Sequence, residues 1–454
     1  MGDIGVISAL RSSVPTEGDS SGTSATASAI VIDAIWLESI NNRIEQLSLG
    51  EGRGNPSTIF RVPKSIRDVK PSAYEPQIIS FGPYHHGREH LKGMEEHKWS
   101  YLTDLLHRDR SKSLEGYLRK MKELEDRARS CYADPIGEKD SNSFVEMMTL
   151  DGCFLVEFAI KYSECQSLPQ RKEYTAIDRS KFCMIVNDMM LLENQLPFFV
   201  LQGIWSFLQC ANGEPSDELV MAFLSLLRGF SPTNSSEPST LPPNLSSPYH
   251  LVDLFRSFIV PKRSPEPEPW SPLDIIPCAT ELEKAGVEFR EKAGAYVLEA
   301  AFADGVMHMA PLSIYDHTDS YLRNIIAFEQ CFPAAGDEAS SYAVLMDFLI
   351  DTPADVAVLR RSGVLLSGLG SDKEAASFFN NLCKDIFTYR TGKLYVDVRE
   401  YCKVRHRKWK AELVHDYLRS PWTFIPVMAA AILLLLTLIE TIFAALSFVS
   451  SLPD

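Results

Sequence analysis

Asn187-Asp188-Met189-Met190-Leu191-Leu192-Glu193-Asn194-Gln195-Leu196-Pro197-Phe198-Phe199-Val200-Leu201 is the densest apolar stretch before the C-terminus, yet it holds Asp188, Glu193, Asn194 and Gln195. Buried polar groups are costly unless hydrogen-bonded. The mixture therefore predicts a core helix that ends in a bonded polar corner. Pro197 disfavours helical geometry at Leu196 and suits the start of a new helix. The expected order is helix, a corner at Glu193 to Leu196, then a second helix from about Pro197 to Gln209.

A second apolar stretch lies upstream, Phe144-Val145-Glu146-Met147-Met148-Thr149-Leu150-Asp151-Gly152-Cys153-Phe154-Leu155-Val156-Glu157-Phe158. A helix apolar on most faces is a buried one. Glu146, Asp151, Glu157, Asp188 and Glu193 could form an acid/base pair or a metal site. The reading adopted is that they cap helix ends and bond backbone at the corner, the commoner use of such residues.

Three groups of residues carry a resemblance. "MMTLDGCFLVEF", with Asp151 and Gly152, precedes "NDMMLLENQLPFFVL", with Asn187, Asp188, Glu193, Asn194, Gln195 and Pro197. Upstream stands "IFRVPKSIRDVKPSAYEPQIISFGPYHHG", with Pro83, Tyr84, His85, His86 and Gly87, then Leu91, Met94, Glu95 and Lys98. "SPW" at Ser420 to Trp422 leads an apolar run. In this order they resemble the plant family catalogued as domain of unknown function 247, across about Ile59 to Val449. The resemblance implies no catalytic activity. It also implies kinship with grass proteins encoded at self-incompatibility loci, thought to act on the pollen side.

The formal charge of -15 argues against a nucleic-acid binder, whose footprint would be a basic face. Nine scattered cysteines without a CxxC fit a reducing compartment better than a disulfide framework. Residues 1–28, rich in Ser, Thr and Gly, are expected to be a disordered tail. They hold no secretory signal, and Val6 spoils a myristoylation motif.

A helix is expected over Ala29 to Leu49, its apolar residues packing on the chain's own core rather than forming a coiled coil. Four prolines make Ile59 to Gly87 extended chain. His85, His86, His90 and His97 then cluster. On one continuous helix, His86, His90 and His97 would share a face, as zinc ligands do. Gly82-Pro83 and Gly87 argue for a turn instead, with the histidines bonding the loop, so no metal or cofactor is expected. Leu91 to Cys131 reads as a long helical region, and 29–230 as one helical region.

Residues 231–272 are Pro/Ser-rich linkers around a short helix, with glycan acceptor patterns at Asn234 and Asn244. From 273 to 420 the texture is α+β. Asp304-Gly305 between two apolar runs signals a hairpin. "GVLLSGLG" at Gly363 to Gly370 lacks the Lys-Ser/Thr of a phosphate loop, and Ser371 to Glu374 reads as a capping box for a helix to Tyr389.

From Pro421 to Ile439 there is no charge, and apolar chain continues past Glu440 to Val449. This is long enough to span ~30 Å of hydrocarbon. A span from Trp422 places Glu440 about 27 Å along, near the far interface. Six basic residues between Lys403 and Arg419 precede it, and residues 450–454 follow as a short tail. The positive-inside rule puts the body in the cytosol. The expectation is thus a mainly α protein: a multi-helix cytosolic body with a small β-hairpin subdomain and one C-terminal transmembrane helix. Its expected partners are the lipid bilayer and an unidentified protein, with self-association open and no nucleic acid. Its expected role is non-enzymatic recognition or scaffolding, with a metal-dependent enzyme using His85, His86 and His90 as the alternative.

Overall fold

The structure is a computed structural model that describes residues 33–51, 56–137, 139–167, 177–209, 217–229, 247–260, 275–292, 297–388, 392–403 and 421–450. The expected N-terminal tail, both glycan acceptors, most of the linkers, the juxtamembrane basic residues from Arg405 to Arg419 and the tail at 451–454 lie outside them. The chain is mainly helical and divides into two units, Met1–Gly54 and Asn55–Asp454.

The first unit contributes one described helix, α1 (Ala34–Glu51). Ile35, Trp36, Leu37, Ile40 and Ile44 are all exposed on it. The helix expected over Ala29 to Leu49 is present from Ala34.

In the second unit, extended chain carries a short helix α2 (Lys64–Val69) and leads to α3 (Glu95–Arg108) and α4 (Leu114–Ser130). The long helical region expected from Leu91 is therefore broken. Ser113 restarts the helix by accepting the Gly116 N–H at 3.2 Å, as a cap does. Arg108, the last residue of α3, holds the break by binding Glu157 at 2.6 Å and Glu164 at 2.6 Å.

Both carboxylates sit on α5 (Ser141–Ser167), the central helix. Met147, Met148, Cys153, Phe154, Leu155, Val156 and Phe158 on it are buried. It lies against α3, α4, α7 (Phe198–Gln209) and α8 (Asp217–Arg228). Gly152 makes the approach of α7 possible, because a Cβ there would stand 2.4 Å from the Ile204 side chain. Between α5 and α7 runs α6 (Arg179–Met189). The helix, corner and second helix read from the sequence are all present, and Pro197 ends the corner just before α7.

Past α9 (Leu251–Ile259) and α10 (Ala279–Lys284) come β1 (Glu288–Glu291), β2 (Ala300–Ala303), β3 (Val306–Met309) and β4 (Leu312–Ile314). β2 and β3 form the expected antiparallel hairpin, and β1 pairs with β3 in parallel. Asp304 at φ 51 and Gly305 at φ 83 make its two-residue turn, the left-handed pair that matches strand twist. His308 alternates with buried Met307 and Met309 on β3.

The remainder is α11 (Thr318–Cys331), α12 (Glu338–Leu349), α13 (Pro353–Arg361), β5 (Leu365–Ser367), α14 (Asp372–Leu382), α15 (Lys393–Lys403) and α16 (Pro421–Ser450). The glycine-rich "GVLLSGLG" contains β5, paired in parallel with β4. Ser371 accepts the Glu374 N–H at 3.2 Å, and the Glu374 carboxylate accepts from Gly370 at 3.0 Å rather than from Ser371. The capping function is kept with its second half moved one residue back. The helix it starts ends at Leu382, short of the expected Tyr389.

Among the described residues no helix is long and apolar enough to cross a membrane. α16 covers the expected interval, and its side chains are described without a break over the run 432–443. Glu440 is exposed within this run, and the Trp422 side chain lies outside the described residues.

Candidate functional site

The corner after α6 holds the extended segment that precedes α3. Proline-rich extended chain has no ladder partner, so its buried N–H groups need acceptors from elsewhere. Asp188, at the end of α6, accepts from Gln77 at 2.8 Å, Ile78 at 2.8 Å and Ile79 at 3.0 Å. Asn194 accepts from Phe81 at 2.7 Å and returns its amide hydrogens to the carbonyls of Ile79 and Asp188. Asp151, buried on α5, accepts from Gly82 at 2.8 Å. Glu193 accepts from Val62 at 2.6 Å and is paired with Arg67. Gln195 turns inward and bonds the carbonyls of Met189 and Leu191, closing the corner on itself.

The same corner is held from its other side. Asn324 of α11, fully buried, accepts from the Leu192 N–H at 2.8 Å and donates to the Ala73 carbonyl at 2.8 Å. Lys98 of α3 is also fully buried and spends its three hydrogens on Ser80 O, Glu95 and Asp151 at 2.8, 2.8 and 2.6 Å. Burial works against its charge, but Asp151 and Glu95 together hold the ammonium above the ordinary lysine value. Burial pushes the Asp188 carboxyl up to about 6 even though three backbone N–H groups favour its anion.

Gly82 shows how tightly the segment fits. Its φ is +69, and a Cβ would stand 2.6 Å from the Gln195 carbonyl oxygen and 2.9 Å from the Tyr132 hydroxyl. The contact with backbone oxygen cannot be relieved by a rotamer change. Gly82→Ala is expected to lower stability by about 2 kcal/mol or more, read as a shift in the denaturation midpoint. An unchanged midpoint would show that the segment is not seated against the corner.

The histidines do not converge. The helical stretch begins with a 3-10 turn at Glu89–Met94, so His86 lies before it and the shared face with His90 and His97 is not formed. His85 is buried with its ring nitrogens 3.8 Å from Glu75 and 3.6 Å from Glu193, beyond hydrogen-bond range. Burial first, then Arg88 and Arg67, push its pKa down to about 3. His90 lies 3.2 Å from the Pro76 carbonyl oxygen and ties the loop. Among the described residues no three His, Cys, Asp or Glu side chains are placed to share an ion. The donor set of the metal-enzyme alternative is thus not assembled.

The remaining signature residues frame this clasp. Tyr84 takes the Asp134 N–H at 3.1 Å and lies under Arg61. Pro83 is buried, and Gly87 turns the chain at φ +82. Asn187 lines a polar cleft of about 400 Å³ with Lys70, Gln77, Asp188, His317 and Asp319, in which Lys70 and Asp319 pair at 2.6 Å. A second concavity of about 600 Å³ lies between α3, α4 and α5 and has an apolar floor.

His250 was not singled out by the sequence. It caps α9 by accepting the Asp253 N–H at Nδ1, and its Nε2 lies 3.0 Å from the Thr58 carbonyl oxygen. Nε2 must therefore carry the single hydrogen, and a second proton would break the cap. Burial pushes the pKa down to about 3. The unfolded chain binds a proton near 6.5 and the folded chain does not, so stability falls as pH drops through this window, by up to about 1.4 kcal/mol per pH unit. His85 acts in the same sense; Asp188, with a raised folded pKa, acts in the opposite one below about 6. Comparing wild type with His250→Asn isolates the histidine. Between about pH 7 and pH 5 the variant should lose roughly 2 kcal/mol less stability, and parallel curves would contradict the neutral-cap assignment.

Fold and site together define a mainly helical protein organised around a polar clasp whose carboxylates and amides bind backbone groups. The chain belongs to the DUF247 family, described as plant protein of unknown function, whose profile matches residues 59–436. It is similar to the Arabidopsis thaliana protein called UPF0481 protein At3g47200, 28% identical over 89% of this chain and 90% of the relative. It is also similar to the Arabidopsis thaliana protein called putative UPF0481 protein At3g02645, 25% identical over 84% of this chain and 89% of the relative. No solved structure matches.

Proposed function

We propose that this chain is a non-enzymatic recognition or scaffolding protein, tethered to a membrane by its C-terminal helix with the body on the cytosolic side. One observation carries the reading. The polar residues of the signature, Asp151, Asp188, Glu193, Asn194 and Gln195, are spent on backbone groups and on each other's elements. A reaction centre needs groups free to exchange protons or ligands with a substrate. Here they build a frame, and the surfaces around it are left for binding. The uncharged sequence from Pro421 to Ile439 supports the tether, and the basic residues before it support the orientation. The pollen self-incompatibility members of the family are the functional model for such a role.

Deleting 421–454 is expected to move the protein from the membrane fraction to the soluble one, with Asn234 and Asn244 free of glycan. Glycan at either position would put the body on the lumenal side. Stoichiometric zinc that survives dialysis and is lost in a His86→Ala, His90→Ala double variant would instead favour the metal-enzyme reading.

A further inference from the structure

The polar cleft beside the clasp is enclosed by three parts of the fold. Residues from 70–77 of the extended segment, 187–191 at the end of α6 and 316–320 at the start of α11 meet around about 400 Å³, a volume that holds a small molecule.

The charged groups of the cleft are already matched. Lys70 pairs with Asp319 at 2.6 Å, and Asp319 also accepts from Arg323 at 2.9 Å. Glu75 pairs with Arg67 at 2.7 Å and with Arg88. Asp188 accepts from its three backbone N–H groups. Burial lowers the His317 pKa and keeps the ring neutral near pH 7. Of the lining charges only Asp316, which is exposed, has no ion-pair or hydrogen-bond partner among the described residues. An anion would therefore meet no spare cation. A cation would meet one exposed carboxylate, where water and salt screen the attraction.

The neutral polar groups are not matched. Asp188, Glu193, Asn194 and Gln195 spend their side chains inside the clasp. The Asn187 amide, half-buried at the cleft, bonds no protein group among the described residues. The Gln77 side chain is also unspent, since only its backbone N–H serves the clasp. Each amide offers an acceptor oxygen and a donor nitrogen side by side. Vicinal hydroxyl groups offer the complementary pair, because each hydroxyl both donates and accepts. Covering such an amide without replacing its hydrogen bonds with water is costly, and a polyol replaces both at once. Ala73 and Leu191 add apolar lining, which suits the C–H faces of a sugar ring.

We propose that this cleft binds an uncharged polyhydroxylated ligand, a sugar or a cyclitol, through the amides of Asn187 and Gln77. The inference goes beyond the recognition reading and stands or falls separately from it. Because the cleft joins the clasped segment to α11, a bound ligand ties the two together and stabilises the fold by mass action.

The test is calorimetric titration of the full chain, held in a detergent without a sugar headgroup, with D-glucose, D-galactose, myo-inositol and sucrose. At least one should bind saturably at one site per chain and raise the melting temperature. Gln77→Ala and Asn187→Ala should each weaken that ligand roughly fivefold, the loss expected for a neutral hydrogen bond. Gln77 is exposed and keeps its backbone N–H in the variant, so it serves as the readout should Asn187→Ala perturb the fold. Inorganic phosphate and spermidine, as anion and cation probes, should not displace the ligand. The inference is overturned if none of these polyols binds saturably, if binding is undiminished in both variants, or if phosphate or spermidine takes the site instead. A melting temperature that climbs in proportion to sugar concentration, equally in wild type and both variants, reports exclusion of solute from the whole surface and overturns it as well.

Discussion

Leu192→Asp is expected to unfold the body. Leu192 is fully buried at the middle of the corner, between the residues that clasp the N-terminal segment. Its N–H is already taken by Asn324, and a carboxylate introduced there meets an apolar neighbourhood with no cation assigned to it. An unpaired buried charge costs several kcal/mol, a large fraction of the ~5–15 kcal/mol that holds a domain together. The readout is a cooperative thermal melt of purified protein. A soluble variant with an unchanged melting temperature would remove Leu192 from the core and the corner from the centre of the fold.

Asp188→Ala is expected to have the next largest effect, for a different reason. It removes no charge pair and leaves little space, but it strands the N–H groups of Gln77, Ile78 and Ile79 together. A buried donor left without an acceptor costs about 1–3 kcal/mol. Residues 77 and 78 are partly open to water and recover some of this, whereas Ile79 is fully buried and recovers none. A loss of about 3 kcal/mol or more is therefore expected. Asp188→Asn, which keeps one acceptor oxygen, should fall between. Denaturant unfolding measures both, and an Ala variant with a wild-type midpoint would contradict the role given to Asp188.

Much of this was legible before the structure. Polar residues inside an apolar run implied a bonded corner, because burial leaves them no other stable state. The Asp-Gly turn, the β2–β3 hairpin and the end of α6 before Pro197 followed from local backbone chemistry. What could not be read was the identity of the partners. Asp188 serves residues more than a hundred positions upstream, and Asn324, Lys98 and His250 join the clasp from other helices. The resemblance marks Lys98, but nothing local shows that it, unlike the exposed lysines around it, is buried. The histidine spacing mattered only if one helix ran through it, and Gly82-Pro83 and Gly87 already argued for the turn that the structure has. β5 was hidden because three residues beside glycines carry little pattern.

Amide hydrogen exchange tests the clasp most directly. In wild type the N–H groups of Val62, Ile79, Phe81 and Gly82 should be strongly protected although they belong to no helix or sheet. In Asp188→Ala the protection of Ile79 should collapse first, with that of Gln77 and Ile78. Exchange at unprotected loop rates in wild type, or protection indifferent to Asp188, would mean that the corner does not hold this segment and that its polar residues are free for another purpose.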